Sequence, residues 1–409
     1  MANPYGALFK APGSAAFSAA GFVARMPLSM TGIGIITMLS QTRGQYGLAG
    51  AVSATFTLSM ALCGPQISRV VDRRGQSRVL LPAAGLSVVA MGVLLLCARY
   101  DAPVWTLFVS AVLAGTMPNM AAMVRARWTH AYRGSDRLHT AYSLESVVDE
   151  LTFVVGPALA VALSTALFPE AGPLVAVVLL TLGVLMFVPQ KRTEPPVLQP
   201  ADDGAPNVSA LRGGPLVVLA LTLVAGGTIV GTVDVVSVAF AEEQGSPAAA
   251  GIVLSVYAIG SAGAGLVFGA LRLTVPLPRL LLLSTAGTAL TTLPLLLVGG
   301  IATLSAAVFF SGLFFAPTMI VVMGLVERTV PPAALTEGMT WAITGLSVGV
   351  ALGASVSGGT VDRFGPSGGF AAGGATVLLA LTAQGPLDRS LRANAVERPA
   401  DAGRAKSVL

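Results

Sequence analysis

The sequence carries little charge. Only 11% of its 409 residues are Asp, Glu, Lys or Arg, against about 25% in a soluble globular domain, and this shortage excludes an ordinary water-soluble enzyme. Cysteine and histidine are scarcer still, at two each. Cys63 and Cys97 sit apart in apolar runs, so neither a disulfide framework nor a Cys-x-x-Cys metal site can be built. His130 and His139 have no third ligand in sequence and make a poor metal site. No metal and no organic cofactor are therefore expected. Aromatic residues make up 6% of the chain, with no Trp, Asn and Gln cluster of the kind that would receive a carbohydrate. The patterns GxxxxGKS/T, HExxH and GxSxG are all missing. No polar stretch is long enough for a nucleotide-binding domain, so the chain alone is not expected to drive transport with ATP.

What the sequence has is apolar runs from end to end. It is 54% hydrophobic, with a mean hydropathy of +0.79. At about 20 residues per membrane helix, there is room for a dozen spans and little else. The spacing predicts twelve of them: Ser14–Gln41, Tyr46–Ser68, Val79–Ala98, Pro103–Val124, Ala141–Leu167, Gly172–Pro189, Pro215–Ala241, Ala248–Leu271, Arg279–Val298, Ile301–Leu325, Gly338–Thr360 and Ser367–Leu387. The first is too long and interrupted for a secretory signal and is read as retained. With both termini cytoplasmic, the basic residues fall almost entirely in the inner segments. The exceptions are Arg43, Arg99 and Arg363 in outer loops and Arg25 inside a span. That bias is the positive-inside pattern. It makes the net charge of +5 a matter of topology rather than of nucleic-acid binding.

The stretch 190–214 is rich in Pro, Asp and Gly and reads as a flexible cytoplasmic linker. It separates a six-helix bundle over 1–189 from a second over 215–389. The polar tail 390–409 reads as disordered. The halves look related: Gly115 to Pro118 is echoed by Gly312 to Pro317, Ala141 with Gly156 by Gly338 with Gly353, and Arg78-Val-Leu-Leu by Arg279-Leu-Leu-Leu, each about 200 residues later. A shared offset argues for a parallel duplication about an axis along the membrane normal.

Between the second and third spans the chain reads Asp72-Arg73-Arg74-Gly75, followed by Arg78. This resembles the signature loop of the major facilitator superfamily, G-x-x-x-D-R-x-G-R-R/K. Ser68 stands for the first glycine, and Gln76-Ser77 stand for the closing basic pair. The fifth span carries Gly156-Pro157, a remnant of that superfamily's antiporter motif G-x-x-x-G-P-x-x-G-G, and equally a simple helix kink. The resemblance implies an all-α membrane fold of twelve helices in two pseudo-symmetric bundles, close to the drug-and-metabolite efflux branch. It also implies a conformational switch at Asp72, Arg73, Gly75 and Arg78, with Asp72 near the start of the eleventh helix. The glycine series Gly345, Gly349, Gly353 in the eleventh span and Gly265, Gly269 in the eighth mark close helix contacts. In the family those spans meet spans two and five.

Ionisable groups inside spans are the sharpest functional signal, because each costs about 2.5–3.5 kcal/mol on insertion and is usually paired or functional. Arg25, Glu145, Asp149, Glu150 and Asp234 qualify. Arg25 and Glu150 both lie about 16 Å into their spans, so Arg25 can pair with Asp149 or Glu150, as a static salt bridge or as a substrate and proton site. Tyr142, Glu145, Ser146, Asp149 and Thr152 share one helix face, and Glu150 points about 100° away. Asp234 has no partner in sequence and shares a face with Gly227, Gly231 and Ser237. Asn119, Tyr257 and Trp341 are weaker cavity-wall candidates.

The sequence-level expectation is a secondary transporter, not an enzyme. It would be a monomer in the cell membrane, exporting a small molecule by proton-coupled antiport. Its partners would be that substrate and the lipid bilayer, with no nucleic acid and the proton gradient in place of a cofactor. Uptake of a sugar, amino acid or organic acid on the same fold, a non-transporting membrane enzyme, and a passive channel are the alternatives.

Overall fold

An apolar segment in a bilayer can satisfy its backbone polar groups only internally, which selects helices over isolated strands. The computed structural model describes residues 4–43, 46–197, 214–246, 249–271, 275–357 and 360–361, and among them there is no strand. The helices are α1 (Pro4–Leu8), α2 (Ser14–Arg43), α3 (Tyr46–Arg74), α4 (Gln76–Arg99), α5 (Val104–Ala114), α6 (Met120–Tyr132), α7 (Arg137–Ala166), α8 (Ala171–Phe187), α9 (Gly214–Glu243), α10 (Ala249–Ala270), α11 (Leu277–Thr292), α12 (Ile301–Gly312) and α13 (Phe315–Thr329). A last one, α14 (Pro332–Ser357), opens with a 3-10 turn. Among the described residues, nine helical segments are long and apolar enough to cross a membrane, and α5 and α8 are shorter apolar helices. The twelfth expected span and the polar tail lie outside the described residues.

Two compact units are formed. The first comprises Met1–Ser209, Ser261–Arg272 and Pro331–Thr344, and the second Ala210–Gly260, Leu273–Val330 and Gly345–Leu409. In the first unit α2 is the centre, packed on α3, α7 and α8. Backbones come very close there. A Cβ at Gly156 would lie 1.9 Å from Ser29 Oγ, and one at Gly183 would lie 2.5 Å from the Ala24 backbone. Gly156 therefore serves α2–α7 packing, and α7 runs on through Pro157. In the second unit the core is Val233, Val236, Val253, Leu304 and Val308 with their neighbours.

Three expectations are corrected. The fourth span is not continuous: α5 ends at Ala114 and α6 begins at Met120. Pro118 has no N–H to offer Ala114, and the Ala114 carbonyl instead accepts from Met117 N at 3.3 Å and from Ser87 Oγ at 2.6 Å. The tenth span breaks at the matching place, between Gly312 and Phe315, shortly before Pro317. The second correction concerns 69–74, which are the last turns of α3 rather than a loop, because nothing breaks the helix until Gly75 at φ +88°.

The third correction is the partner of the long glycine seam. Cβ atoms at Gly345, Gly349 and Gly353 would lie 2.6, 2.0 and 2.1 Å from the carbonyls of Ala220, Val224 and Thr228. The seam thus packs on α9, within one unit, rather than on span two. α9 answers with its own glycines, since a Cβ at Gly231 would lie 2.1 Å from Val350 O. The eighth-span glycines behave as expected. Gly265 and Gly269 face α7, where Ser143 Oγ donates to Gly265 O and a Cβ at Gly269 would meet the Ser143 side chain at 2.1 Å.

Candidate functional site

The chain turns back on itself at 133–136, so α6 and α7 form a hairpin. On α6, Arg125, Trp128, Thr129 and Tyr132 recur at i, i+3, i+4 and i+7 and share a face. On α7, Tyr142, Glu145 and Asp149 do the same. The two stripes meet rung by rung. Arg125 Nη2 donates to Asp149 Oδ2 at 2.5 Å, Trp128 Nε1 donates to Glu145 Oε1 at 2.8 Å, and the hydroxyls of Thr129 and Tyr142 are 2.6 Å apart. Arg25 of α2 closes the set. Its Nη1 donates to Asp149 Oδ1 at 2.9 Å, and its Nη2 pairs with Glu145 Oε2.

All four carboxylate oxygens are thus taken, and two guanidinium charges balance two carboxylate charges. Pairing is what makes the arrangement tolerable, because an uncompensated buried charge costs about 3–5 kcal/mol. Arg25 and Glu145 are buried, as is Arg125, but the Asp149 side chain keeps 23% of its surface exposed. Asp149 is therefore the member least closed in by protein, and it bridges both arginines. Among the described residues, Nε of Arg25 and both Nε and Nη1 of Arg125 have no hydrogen-bond partner. The site consequently holds more donors than acceptors.

Sequence reasoning placed Arg125 and Arg127 in a basic inner loop. The structure corrects this: α6 continues to Tyr132 and both arginines are fully buried. The signal that finds Arg125 and Trp128 is the helical spacing on α6 read against that on α7. Glu150 is corrected too. It takes no part in the Arg25 set and accepts from Ser261 Oγ at 2.8 Å, as its position 100° around the helix requires. Asn119 is half-buried. Its side chain accepts from Ala122 N at 3.1 Å and caps α6. Tyr257 belongs to the apolar core of the second unit. Trp341 is half-buried, and its Nε1 has no partner among the described residues. Asp234 is half-buried on α9, and no described residue pairs with it.

The signature residues divide. Asp72 accepts from the backbone amides of Thr336 and Glu337 at 3.2 and 2.8 Å, capping the first turn of α14. Arg69 Nε lies 3.8 Å from Glu337 Oε2. Arg73 and Arg78 are exposed. Gly75 opens α4, and a Cβ there would lie 2.7 Å from Glu194 Oε1, which accepts from Ser77 N at 2.9 Å. The start of the linker is thus fastened rather than loose. Arg127 reinforces it, donating to Thr193 Oγ1 at 2.8 Å and Gln76 Oε1 at 2.8 Å with its guanidinium 3.6 Å from the Phe187 ring centre. Burial pulls the Arg127 pKa down to about 10, and Glu194 opposes that shift, so the side chain stays charged at neutral pH. Residues 198–213 of the linker lie outside the described residues. A cavity of about 190 Å³ beside Asp72 is lined by Gln76, His130, Arg133, Pro195 and Thr336. His139 Nε2 donates to Phe268 O of α10 at 2.9 Å. Among the described residues no three His, Cys, Asp or Glu side chains form a metal cluster.

Solved structures with this fold are remote in sequence. A bacterial homologue of the iron transporter ferroportin, in its outward-facing state, is 14% identical with a TM-score of 0.71, covering 92% of this chain and 99% of its own. FucP, a transporter caught in the outward conformation, is 11% identical with a TM-score of 0.68, covering 93% and 99%. The human organic anion transporter MFSD10 is 14% identical with a TM-score of 0.64, covering 91% and 97%. No curated protein matches the sequence. The family model described as Major Facilitator Superfamily matches twice, over residues 17–245 and 219–404, consistent with a duplicated chain. The paired breaks in the fourth and tenth spans, the Asp72 cap and this double match lead to one conclusion: the chain is a multi-pass membrane protein that belongs to the Major Facilitator Superfamily.

Proposed function

We propose that the protein is a proton-coupled secondary transporter that exports a small molecule across the cytoplasmic membrane by alternating access, with both termini on the cytoplasmic side. The observation that carries this reading is the four-charge set Arg25–Glu145–Asp149–Arg125, in which Asp149 alone is not closed in by protein. A proton on Asp149 removes one of the two negative charges. Arg25 then keeps Glu145, and Arg125 loses the one carboxylate that pairs with it among the described residues while already holding unfilled donors. The protonated and deprotonated forms therefore differ in the charge they present around Arg125. A proton can bias one conformation over another only through such a difference. The spare donors of Arg125 favour a substrate that brings an acceptor group. Asp72 at the head of α14 would act as the switch, its two backbone contacts made in one conformation and released in the other. Export is the direction chosen because Gly156-Pro157 stands where the antiporter motif of the family has its own pair.

Inverted membrane vesicles test the reading. Respiration acidifies their interior, and a panel of toxic compounds and organic acids is added outside while an internal dye reports pH. At least one compound is expected to dissipate the gradient with the wild-type protein. With Asp149→Asn the dissipation is expected to fall at least about tenfold, a barrier change of about 1.4 kcal/mol. Undiminished dissipation by Asp149→Asn would overturn the assignment of the proton to that carboxylate.

A further inference from the structure

A five-residue helix has no stability of its own, because nucleation costs more than one turn of hydrogen bonds returns. α1 (Pro4–Leu8) is nevertheless ordered, so its order comes from what it touches. Leu8 is completely buried, and its carbonyl accepts from Tyr132 OH at 2.8 Å. The Phe9 ring meets Trp128 edge-on at 6.2 Å, and Phe17 meets the same ring at 4.7 Å. Trp128 is the residue whose Nε1 holds Glu145.

At the other end of the segment, Tyr5 OH donates to Leu266 O at 2.5 Å and lies 3.2 Å from Ser143 Oγ. Ser143 in turn donates to Gly265 O, and Thr140 Oγ1 donates to Gly269 O at 2.9 Å. A row of α10 carbonyls is thus held by side chains of α7 and by Tyr5. Those inside the helix already serve its own backbone, so each extra donor is a removable contact rather than an obligatory one. Burial raises the Tyr5 pKa above its ordinary 10, which keeps the hydroxyl a donor at physiological pH.

We infer that residues 4–17 are an intramolecular latch, which ties the Leu266–Gly269 stretch of α10 to α7 through Tyr5 and clamps Trp128 against Glu145 through Phe9 and Phe17. Release of the latch removes the Tyr5 tie between α10 and α7, leaving only the bonds of Ser143, Thr140 and His139 among those described, and loosens one of the two partners that hold Glu145. The mechanical half stands on contacts alone, whereas the influence on Glu145 rests on the proposed role of the charge set.

Hydrogen–deuterium exchange on the full chain in lipid nanodiscs tests the latch without any substrate. Tyr5→Phe keeps the ring and removes the hydroxyl, so the variant is expected to fold. Exchange in peptides covering 262–271 and 137–146 should speed up about tenfold, as expected for a locally released element, while α12 and α13 stay at wild-type rates. In a background carrying Trp105→Phe and Trp341→Phe, Phe9→Ala should shift the emission of Trp128 to the red. Wild-type exchange in Tyr5→Phe would overturn the latch. So would acceleration spread evenly over the chain, because that pattern reports general loosening. Both readouts are independent of proton binding, so failure of the latch leaves the Asp149 assignment standing, and failure of that assignment leaves the latch standing.

Discussion

Asp149 shows how one side chain can be both structural and responsive. It accepts from two arginines, yet keeps about a quarter of its surface open. Removing Asp149 leaves Arg125 without its carboxylate, and removing Arg125 leaves the single guanidinium of Arg25 against two carboxylates, so either change unbalances the buried charges, at a cost of up to about 3–5 kcal/mol. Removing both leaves Arg25 with Glu145, a balanced pair. Arg125→Ala and Asp149→Ala should therefore each lower the melting temperature in detergent, and the double variant should melt above both singles. A double variant that melts at the sum of the two losses would show that the residues are not energetically coupled. At this scale the sequence was informative about α7 and poor about α6. Helical spacing put Glu145 and Asp149 on one face and turned Glu150 away, and both features are observed. Arg125 was hidden because it falls one residue beyond the fourth expected span, where a basic residue reads as a loop anchor. The helix continues there because its polar face has somewhere to go. Arg125, Trp128 and Thr129 find partners on α7, and Arg127 finds Gln76 and Thr193.

Helices approach one another only as closely as their side chains allow, and the α9–α14 seam takes this to the limit. Carbonyls of α9 sit where a methyl group on Gly349 would have to be. Gly349→Ala should therefore force the helices apart and cost about 1–3 kcal/mol, the usual range for overpacking. Gly263, by contrast, has open space where an added methyl group would stand, and Gly263→Ala should be neutral or stabilising by at most about 1 kcal/mol. Thermal unfolding of the two variants side by side checks both signs. The seam glycines were legible as a motif, but their partner was not. Periodicity says that a face is small, and only the fold says which backbone fills it. Helix ends were legible where chemistry punctuates them. Gly75 ends α3 because it alone there adopts φ +88°, and Asn119 starts α6 by capping it. The break in the fourth span was present in the letters as Gly115 and Pro118, but an apolar run of the right length outweighed it.

At the scale of the molecule, hydropathy and basic-residue bias sufficed to recover a multi-pass helical membrane chain. The offset of about 200 residues between echoed motifs found a counterpart in structure, since the fourth and tenth spans break at corresponding glycines. Substrate and direction were not legible because they depend on which few polar groups face an open space, and one residue of displacement around a helix changes that set. Glu150, adjacent to Asp149 and yet bonded to Ser261, is the example.

The ion pair between Arg25 and Glu145 spans 120 positions of chain, and this separation bears on how the protein is made. When α2 leaves the ribosome, its arginine has no counter-charge, and none exists until α7 is synthesised. A lone arginine at mid-bilayer is penalised by about 2.5–3.5 kcal/mol during insertion. The first long helix is therefore expected to be retained by the insertion machinery, or to remain only loosely committed to lipid, until the α6–α7 hairpin arrives carrying Glu145, Asp149 and Arg125. In a nascent chain truncated before Arg137, a cysteine placed beside Arg25 in α2 should react with a membrane-impermeant maleimide, and in one extended past Ala166 it should be protected. In the truncated chain, Arg25→Leu should restore protection.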